Sequence, residues 1–344
     1  MITKNIREWK SLVGCSAIGA DVSKAKLNIA GIVDDAAWQG ILKNDEDAMT
    51  EFFSALKEGG FSGTIICEAT SHYHMLFALL ACEAGLDIRV INPLLSSKHA
   101  KGRIRKTKTD AVDAITLATM VLTEPDLPPS LKMTRLSANV RSTIGFLHGI
   151  EKSLQSLKRS LASYGERLNL TRTDLPQPCR EMQKSIESLE VQRKKLIMEL
   201  DRSLAESETE NEPKVEALAS LPGVTKENAR LLLSVLRMDV PSSKSWIAYL
   251  GMDVSLRESG TWKGRGKLTK RGSAWLRKRI IQAAWGAKMH DKDVQSYYKA
   301  LKEQGRAHKE ALVIIARKLL RMMFHAAKTG EHYDPNRAFA VAKA

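Results

Sequence analysis

Cysteine is sparse in this chain. The 344 residues hold four, Cys15, Cys67, Cys82 and Cys179, far apart and without a C-x-x-C spacing. That excludes a disulfide framework and a structural zinc site, and reads as a reduced, cytosolic protein. Aromatics are also few, at 6%, so the cores are expected to be mainly aliphatic; a hydrophobic content of 43% suffices to build them. No apolar run approaches the ~20 residues of a membrane-spanning helix. The opening MITKNIREWK has no apolar stretch of the kind found in a secretory leader. No membrane is therefore expected as a partner. Acid is short relative to base: 39 Asp and Glu face 54 Lys and Arg, giving a formal charge of +15 and a pI near 9.6. Such an excess points to a polyanion, and its clustering along the chain favours nucleic acid over an anionic membrane.

The length suggests two or three domains, and the patterning divides the chain into three zones. In the first, residues 15–125, short apolar runs alternate with helical patterns. Strands are expected over 16–22, 26–33 and 37–42. A helix with an acidic first turn follows over 45–58, stopped by Gly59 and Gly60. Strand "GTIICEAT" (63–70), a helix over 73–85 and strand "DIRVIN" (87–92) come next, with Pro93 ending the last strand. This β-β-β-α-β-α-β-α order predicts a mixed sheet covered by helices. The second zone, 130–210, has no strand signal and two long helical patterns, about 134–168 and 178–206, broken by "TDLPQP". Leu147, Ile150, Leu154 and Leu157 recur at three- and four-residue steps, as in an antiparallel helical hairpin or coiled coil, serving either as a spacer or for dimerisation. The third zone, 211–335, is mainly helical around one irregular basic stretch at 251–273.

In the first zone four acids stand out. Asp21 interrupts the apolar run "IGADVSKAKLNIAGIV" and Glu68 ends a strand. Asp110 and Asp113 lie at i and i+3 in "KTDAVDA", on one helix face. Singly, each reads as a surface residue. Jointly, four carboxylates can converge only around a cation, because their repulsion and desolvation would otherwise be prohibitive. Hard oxygen ligands suit Mg²⁺, or Mn²⁺ in its place, and such ions serve phosphodiester chemistry. Ahead of the helix, "KHAKGRIRKTK" carries Lys98, Lys101, Arg103, Arg105, Lys106 and Lys108 and no acid, which suits phosphate binding.

In the third zone "LPGVTKENA" has the look of a helix-hairpin-helix turn, in which the N–H groups of Gly223 and Val224 would grip a phosphate; an ordinary helix turn reads the same way. Residues 255–279 hold nine Lys or Arg (Arg257, Lys263, Arg265, Lys267, Lys270, Arg271, Arg277, Lys278 and Arg279) against one acid, Glu258. Trp262 and Trp275 interleave with them, as on a surface where indoles stack on bases. Trp246 and Trp285 are expected in the core. Ser259 lies in this loop with no histidine near it in sequence, and by chemistry alone it is an ordinary loop serine.

The stretches "IGADVSKAKLNIA", "CEATSHYHMLFALL", "VINP" and "RIRKTKTDAVDA" resemble the RNase H-like (RuvC-like) DEDD domain of a family of bacterial insertion-sequence transposases that includes the Piv-type DNA invertases. "LPGVTKENARLLL", "YLGM" and "RESGTWKGRGKLTKRGSAWLRKRI" resemble the C-terminal domain of the same family. The resemblance implies a RuvC-like α/β domain at 15–125, a helical hairpin or coiled coil at 130–210, and a mainly α, serine-bearing domain at 211–335. It puts Asp21, Glu68, Asp110 and Asp113 at the metal positions and Ser259 at the nucleophile, with Ser255 and then Ser273 as alternatives. The "MDVSLRES" lead-in departs from the family, which more usually has Pro near Asp253.

What this implies is a DNA transposase or site-specific recombinase. Ser259 would form a transient phosphoserine–DNA link beside Mg²⁺, and donor and target DNA would be joined by a dimer or tetramer. A non-coding bridge RNA is the implied guide, and a bacterial cytoplasm, at the nucleoid, the implied location. Rival readings are a Piv-type invertase, a metal-dependent structure-specific nuclease such as a junction resolvase, and a nucleic-acid-binding scaffold without catalysis.

Overall fold

The computed structural model describes residues 2–33, 36–70, 72–101, 110–168, 174–207, 212–255, 258–259, 262–263, 266–335 and 339. The chain divides into two compact units, Met1–Asn139 and Val140–Ala344.

In the first unit the strands are β1 (Ile2–Asn5), β2 (Ala17–Val22), β3 (Lys26–Val33), β4 (Ala36–Lys43), β5 (Thr64–Glu68) and β6 (Asp87–Ile91); the helices are α1 (Glu46–Glu58), α2 (His74–Glu83), α3 (Pro93–Lys101) and α4 (Asp110–Thr123). The strands form one sheet in the order β1-β4-β3-β2-β5-β6. The β2–β3 and β3–β4 pairs are antiparallel, and β1–β4, β2–β5 and β5–β6 are parallel. This is the mixed, helix-covered sheet expected of the zone. β1 was not expected: four residues are too few to show an alternation. α3 was also unexpected. Pro93 ends the strand but then opens a helix, where its missing N–H costs nothing, and the Asn92 side chain accepts from Leu94 N at 2.9 Å.

Strand alternation gives the sheet two apolar faces. Ile18, Ala20, Val22, Leu27, Ile29, Ile65, Cys67 and Ile88 pack against Met49, Phe52, Phe53 and Leu56 of α1 and Phe77 of α2. Helix α1 is started by Asp45, whose carboxylate accepts from Ala48 N at 2.9 Å. Phe52, Phe53, Phe77 and Trp9 meet ring to ring, with Trp9 edge-on to Phe52 at 5.0 Å. Burial holds the Cys67 thiol up, to about 12, so it is an inert core residue.

The opposite face carries α4. Ile66 and Ile91 meet Leu117 and Met120 there, and Ala17 and Ile32 meet Ala118. Gly19 makes this contact possible. A Cβ on it would stand 2.1 Å from Ala114 O and 2.5 Å from Ala118 N, so the helix backbone lies directly on β2. The Gln39 amide fastens the start of the helix, donating to Ala111 O at 3.1 Å.

The second unit is mainly helical. Helix α5 (Arg135–Leu168) begins in the first unit and runs into the second, where it is followed by α6 (Gln177–Ser207), α7 (Glu212–Ala219), α8 (Lys226–Val235), α9 (Ser243–Tyr249), α10 (Ala274–His290), α11 (Lys292–Glu303) and α12 (His308–Thr329). Short strands β7 (Val254–Ser255), β8 (Glu258–Ser259), β9 (Trp262–Lys263) and β10 (Lys267–Leu268) lie between α9 and α10. Helix α12 is the centre of this core, burying Ile315, Leu319, Leu320 and Met323 among others. Ion pairs Lys158–Glu190 (2.6 Å) and Glu151–Arg193 (2.7 Å) match rising positions on α5 with falling ones on α6, as in an antiparallel pair.

Glu151 also accepts from Lys278 of α10 at 2.7 Å and is 12% exposed. Burial alone would raise its pKa, but the Lys278 and Arg193 hydrogen bonds and charges outweigh that and hold it below the usual 4.5. The carboxylate therefore stabilises the fold fully above pH 4.5, and that contribution is lost as the pH falls through the lowered value.

Two outcomes follow for stability. Gly19→Ala lowers the unfolding free energy by about 1–3 kcal/mol in urea titration, whereas Gly14→Ala, where a Cβ meets nothing within 4 Å, stays within about 0.5 kcal/mol of the parent. Glu151→Gln melts lower than the parent at neutral pH. Its melting temperature also falls less steeply as melts are repeated below about pH 4.5.

Candidate functional site

The sheet register brings two of the predicted acids side by side. Ala20 pairs with Cys67 across parallel strands β2 and β5, so Asp21 and Glu68 occupy the next step, at the strand ends. Neighbouring strands are about 4.8 Å apart. Both lie on the α4 face, because Asp21 is two residues beyond Gly19 and Glu68 two beyond Ile66. Helix α4 runs against the direction of β2: Ala17 sits by Ala118, and Gly19 by both Ala118 and Ala114. Its first turn, with Asp113, thus reaches the Asp21 end of the sheet. Asp110 opens this helix; its side chain lies outside the described residues, as do the side chain of Lys101 and the whole of 102–109 with Arg103, Arg105, Lys106 and Lys108. Lys98 is described and is exposed on α3.

Asp21, Glu68 and Asp113 are all partly buried. Ser96 of α3 donates to Glu68 Oε2 at 2.6 Å. Among the described side chains no group of three His, Cys, Asp or Glu is closed enough to hold a metal ion. The donor set is nonetheless that of a hard divalent cation. It consists of carboxylate oxygens from two strand ends and a helix start, without sulfur or imidazole. The residues present therefore fit a divalent ion.

Sequence reasoning passed over Asn28. It pairs with Asp21 across β2–β3 and is only 8% exposed. Among the described residues its buried amide nitrogen has no hydrogen-bond partner. In the sequence its signal is that of the uncharged polar residue inside the apolar run "KLNIAGIV".

In the second unit the basic loop has a built base. Strands β7 and β10 pair antiparallel, and so do β8 and β9, with Ser259 opposite Trp262 and Glu258 opposite Lys263. Thr269 N donates to Asp253 O at 3.0 Å, and Thr269 Oγ1 donates to the Asp253 carboxylate. Gly272 lies so close to the end of α9 that a Cβ would stand 1.9 Å from Tyr249 O. Arg277 Nη1 donates to Leu250 O at 2.9 Å and to Gly272 O at 2.8 Å, and burial lowers its pKa. Ser255 is exposed on β7, whereas Ser273 caps α10, accepting from Leu276 N at 3.3 Å. Lys267, Lys270 and Arg271 are exposed. The side chains of Glu258, Ser259, Trp262 and Lys263, and all of Arg257 and Arg265, lie outside the described residues.

Three expectations need correction. Trp275 does not face solvent for stacking: it is 2% exposed, with the Arg279 guanidinium over its ring at 4.6 Å. Trp285, expected in the core, is 52% exposed, while Trp246 is buried as expected. Apolar residues ring α10 on several sides, so their spacing does not choose a face. The Val224 N–H is not free for phosphate, since it donates to Leu221 O at 3.1 Å. Gly223, at φ +74°, is instead a packing glycine, where a Cβ would stand 2.1 Å from Ala283 O.

Two family models match the chain. A DEDD model described as "Transposase" matches residues 18–164, and one described as "Transposase IS116/IS110/IS902 family" matches 215–299. The chain is also similar to an uncharacterized 43.6 kDa protein of insertion element IS110 from Streptomyces coelicolor, with 24% identity over 127 residues. That stretch is 36% of this chain and 31% of the relative, so the match spans less than a third of the relative's length. Asp21, Glu68, Asp110 and Asp113 fall within the first matched stretch and Ser259 within the second; over these two stretches the chain is similar to transposases, the second to those of the IS116/IS110/IS902 family.

Proposed function

We propose that this chain is an insertion-sequence DNA transposase that exchanges strands through a serine–DNA link, with a divalent metal held by acids of the first unit. The observation that carries the reading is the adjacent placement of Asp21 and Glu68 at the ends of β2 and β5, on the face where α4 begins with Asp110 and Asp113. A bound Mg²⁺ or Mn²⁺ supplies Lewis acidity toward the scissile phosphate. The four acids would hold it.

Ser259 attacks the phosphorus. The Oγ–P bond forms and the P–O bond to one sugar breaks; the serine gives up its proton, and the departing sugar oxygen takes one. Reversal at a second DNA end restores the serine and joins the strands without net hydrolysis. The clamped base formed by Asp253, Thr269, Gly272 and Arg277 sets where the loop begins. Lys267, Lys270 and Arg271 supply exposed charge toward the DNA backbone. Exposed apolar side chains on the long helices, Phe146 on α5 and Met182, Leu189, Val191 and Met198 on α6, support a homo-oligomer. The +15 charge accommodates an RNA as well as DNA, in keeping with guidance by a bridge RNA.

The test uses supercoiled DNA carrying the native element ends, with Mg²⁺. The parent protein yields a denaturation-resistant protein–DNA adduct and joined products. Ser259→Ala loses both by about a thousandfold or more, and Asp21→Asn or omission of divalent metal does the same. Cleavage that survives in Ser259→Ala contradicts the serine route and favours a plain metal nuclease. For the RNA, the protein is expressed from its native locus with flanking DNA and the co-purified RNA is sequenced. One dominant species from the flank is expected. Only heterogeneous host RNA would move the reading to a protein-directed, Piv-type invertase.

A further inference from the structure

We infer that Asn28 is a positioning residue of the acid site: its buried amide donates to the Asp21 carboxylate when a divalent ion is bound. The inference rests on the metal reading above and adds a residue to it. Asn28 lies on β3 directly opposite Asp21. Cross-strand partners share a face, with Cβ atoms about 5 Å apart, so the amide reaches the carboxylate by side-chain rotation alone. The face is the one covered by α4, and Asn28 is 8% exposed there.

Among the described residues its Nδ2 has no hydrogen-bond partner. A buried donor left unmade is a standing cost to the fold, and a valine or isoleucine at this strand position would avoid it. The other residues of β3 from Leu27 to Ile32 follow that apolar preference. An orphan donor beside an acid is what a pre-set outer partner looks like before its ligand arrives. A carboxylate that binds a cation through one oxygen needs a donor to hold the other, and such donors sharpen metal affinity. The unmade bond in the free protein then becomes a made bond in the loaded one, and stability given up in the first state is regained in the second.

The opposite signs of these two effects provide the test. In Asn28→Leu, and in Asn28→Val should leucine overfill the site, the metal-free full-length protein melts at the same temperature as the parent or higher. Its affinity for Mn²⁺, read by electron paramagnetic resonance of the free ion, falls about tenfold. Unchanged Mn²⁺ affinity in both variants overturns the inference. So does a fall in melting temperature together with affinity, which marks Asn28 as a plain strand residue. If the parent protein itself binds no Mn²⁺, the metal reading fails and this inference fails with it; if the parent binds Mn²⁺ and both variants bind it equally tightly, only the inference fails.

Discussion

The first unit depends on one close contact, that of the α4 backbone against Gly19 of β2. With any side chain at that position the helix would have to lift, since a Cβ would lie inside contact distance of both Ala114 O and Ala118 N. Lifting α4 would withdraw its first turn, and with it Asp110 and Asp113, from the strand ends that present Asp21 and Glu68. The glycine, a residue without chemistry of its own, therefore decides whether residues with chemistry meet. The Gln39 amide on Ala111 O and the Leu117 and Met120 contacts with Ile66 and Ile91 hold the same helix at other points along its length.

The second unit applies the same principle to charge. The stretch 255–279 looks uniformly basic in sequence, yet three of its cations are committed internally. Arg277 binds the carbonyls of Leu250 and Gly272, Lys278 pairs with Glu151, and Arg279 covers the Trp275 ring. These residues build the platform. Among the described side chains of this stretch, Lys267, Lys270 and Arg271 are exposed and are the ones proposed to face a polyanion. Gly251, at φ +62°, lets the chain cross close under Arg271 and Gly272, so the loop starts from a fixed point.

Much of this was legible in the sequence. Strands β2 to β6 announced themselves by apolar, β-branched runs between turn residues, and α1 by Asp45 followed by two acids and a buried face. The helix between "TIICE" and "DIRVI" pointed to a mixed sheet, and the structure pairs β5 and β6 in parallel, as a helical crossover allows. What stayed hidden had physical reasons. β1 is too short to show a period. Pro93 carries two meanings, strand stop and helix start, and only the tertiary setting separates them. The identities of the buried and exposed tryptophans were exchanged because α10 is apolar on several sides, so its face toward α12 was not written in its own spacing. Of the candidate site, the acids could be named from residue type and position. The register that sets Asp21 beside Glu68 and Asn28 could not, since pairing is a property of the sheet.

The most direct test of the account is to let the metal report its own surroundings. Fe²⁺ is added to the intact protein in place of the native ion, ascorbate and peroxide are supplied, and the backbone cuts made by locally formed radicals are mapped by mass spectrometry. The account predicts cuts at three separated places in the chain, next to Asp21, next to Glu68 and at the start of α4 around Asp110 and Asp113, all suppressed by excess Mg²⁺. Cuts at only one of these places, or at sites elsewhere that Mg²⁺ does not protect, would contradict the convergence of the acids on a single ion.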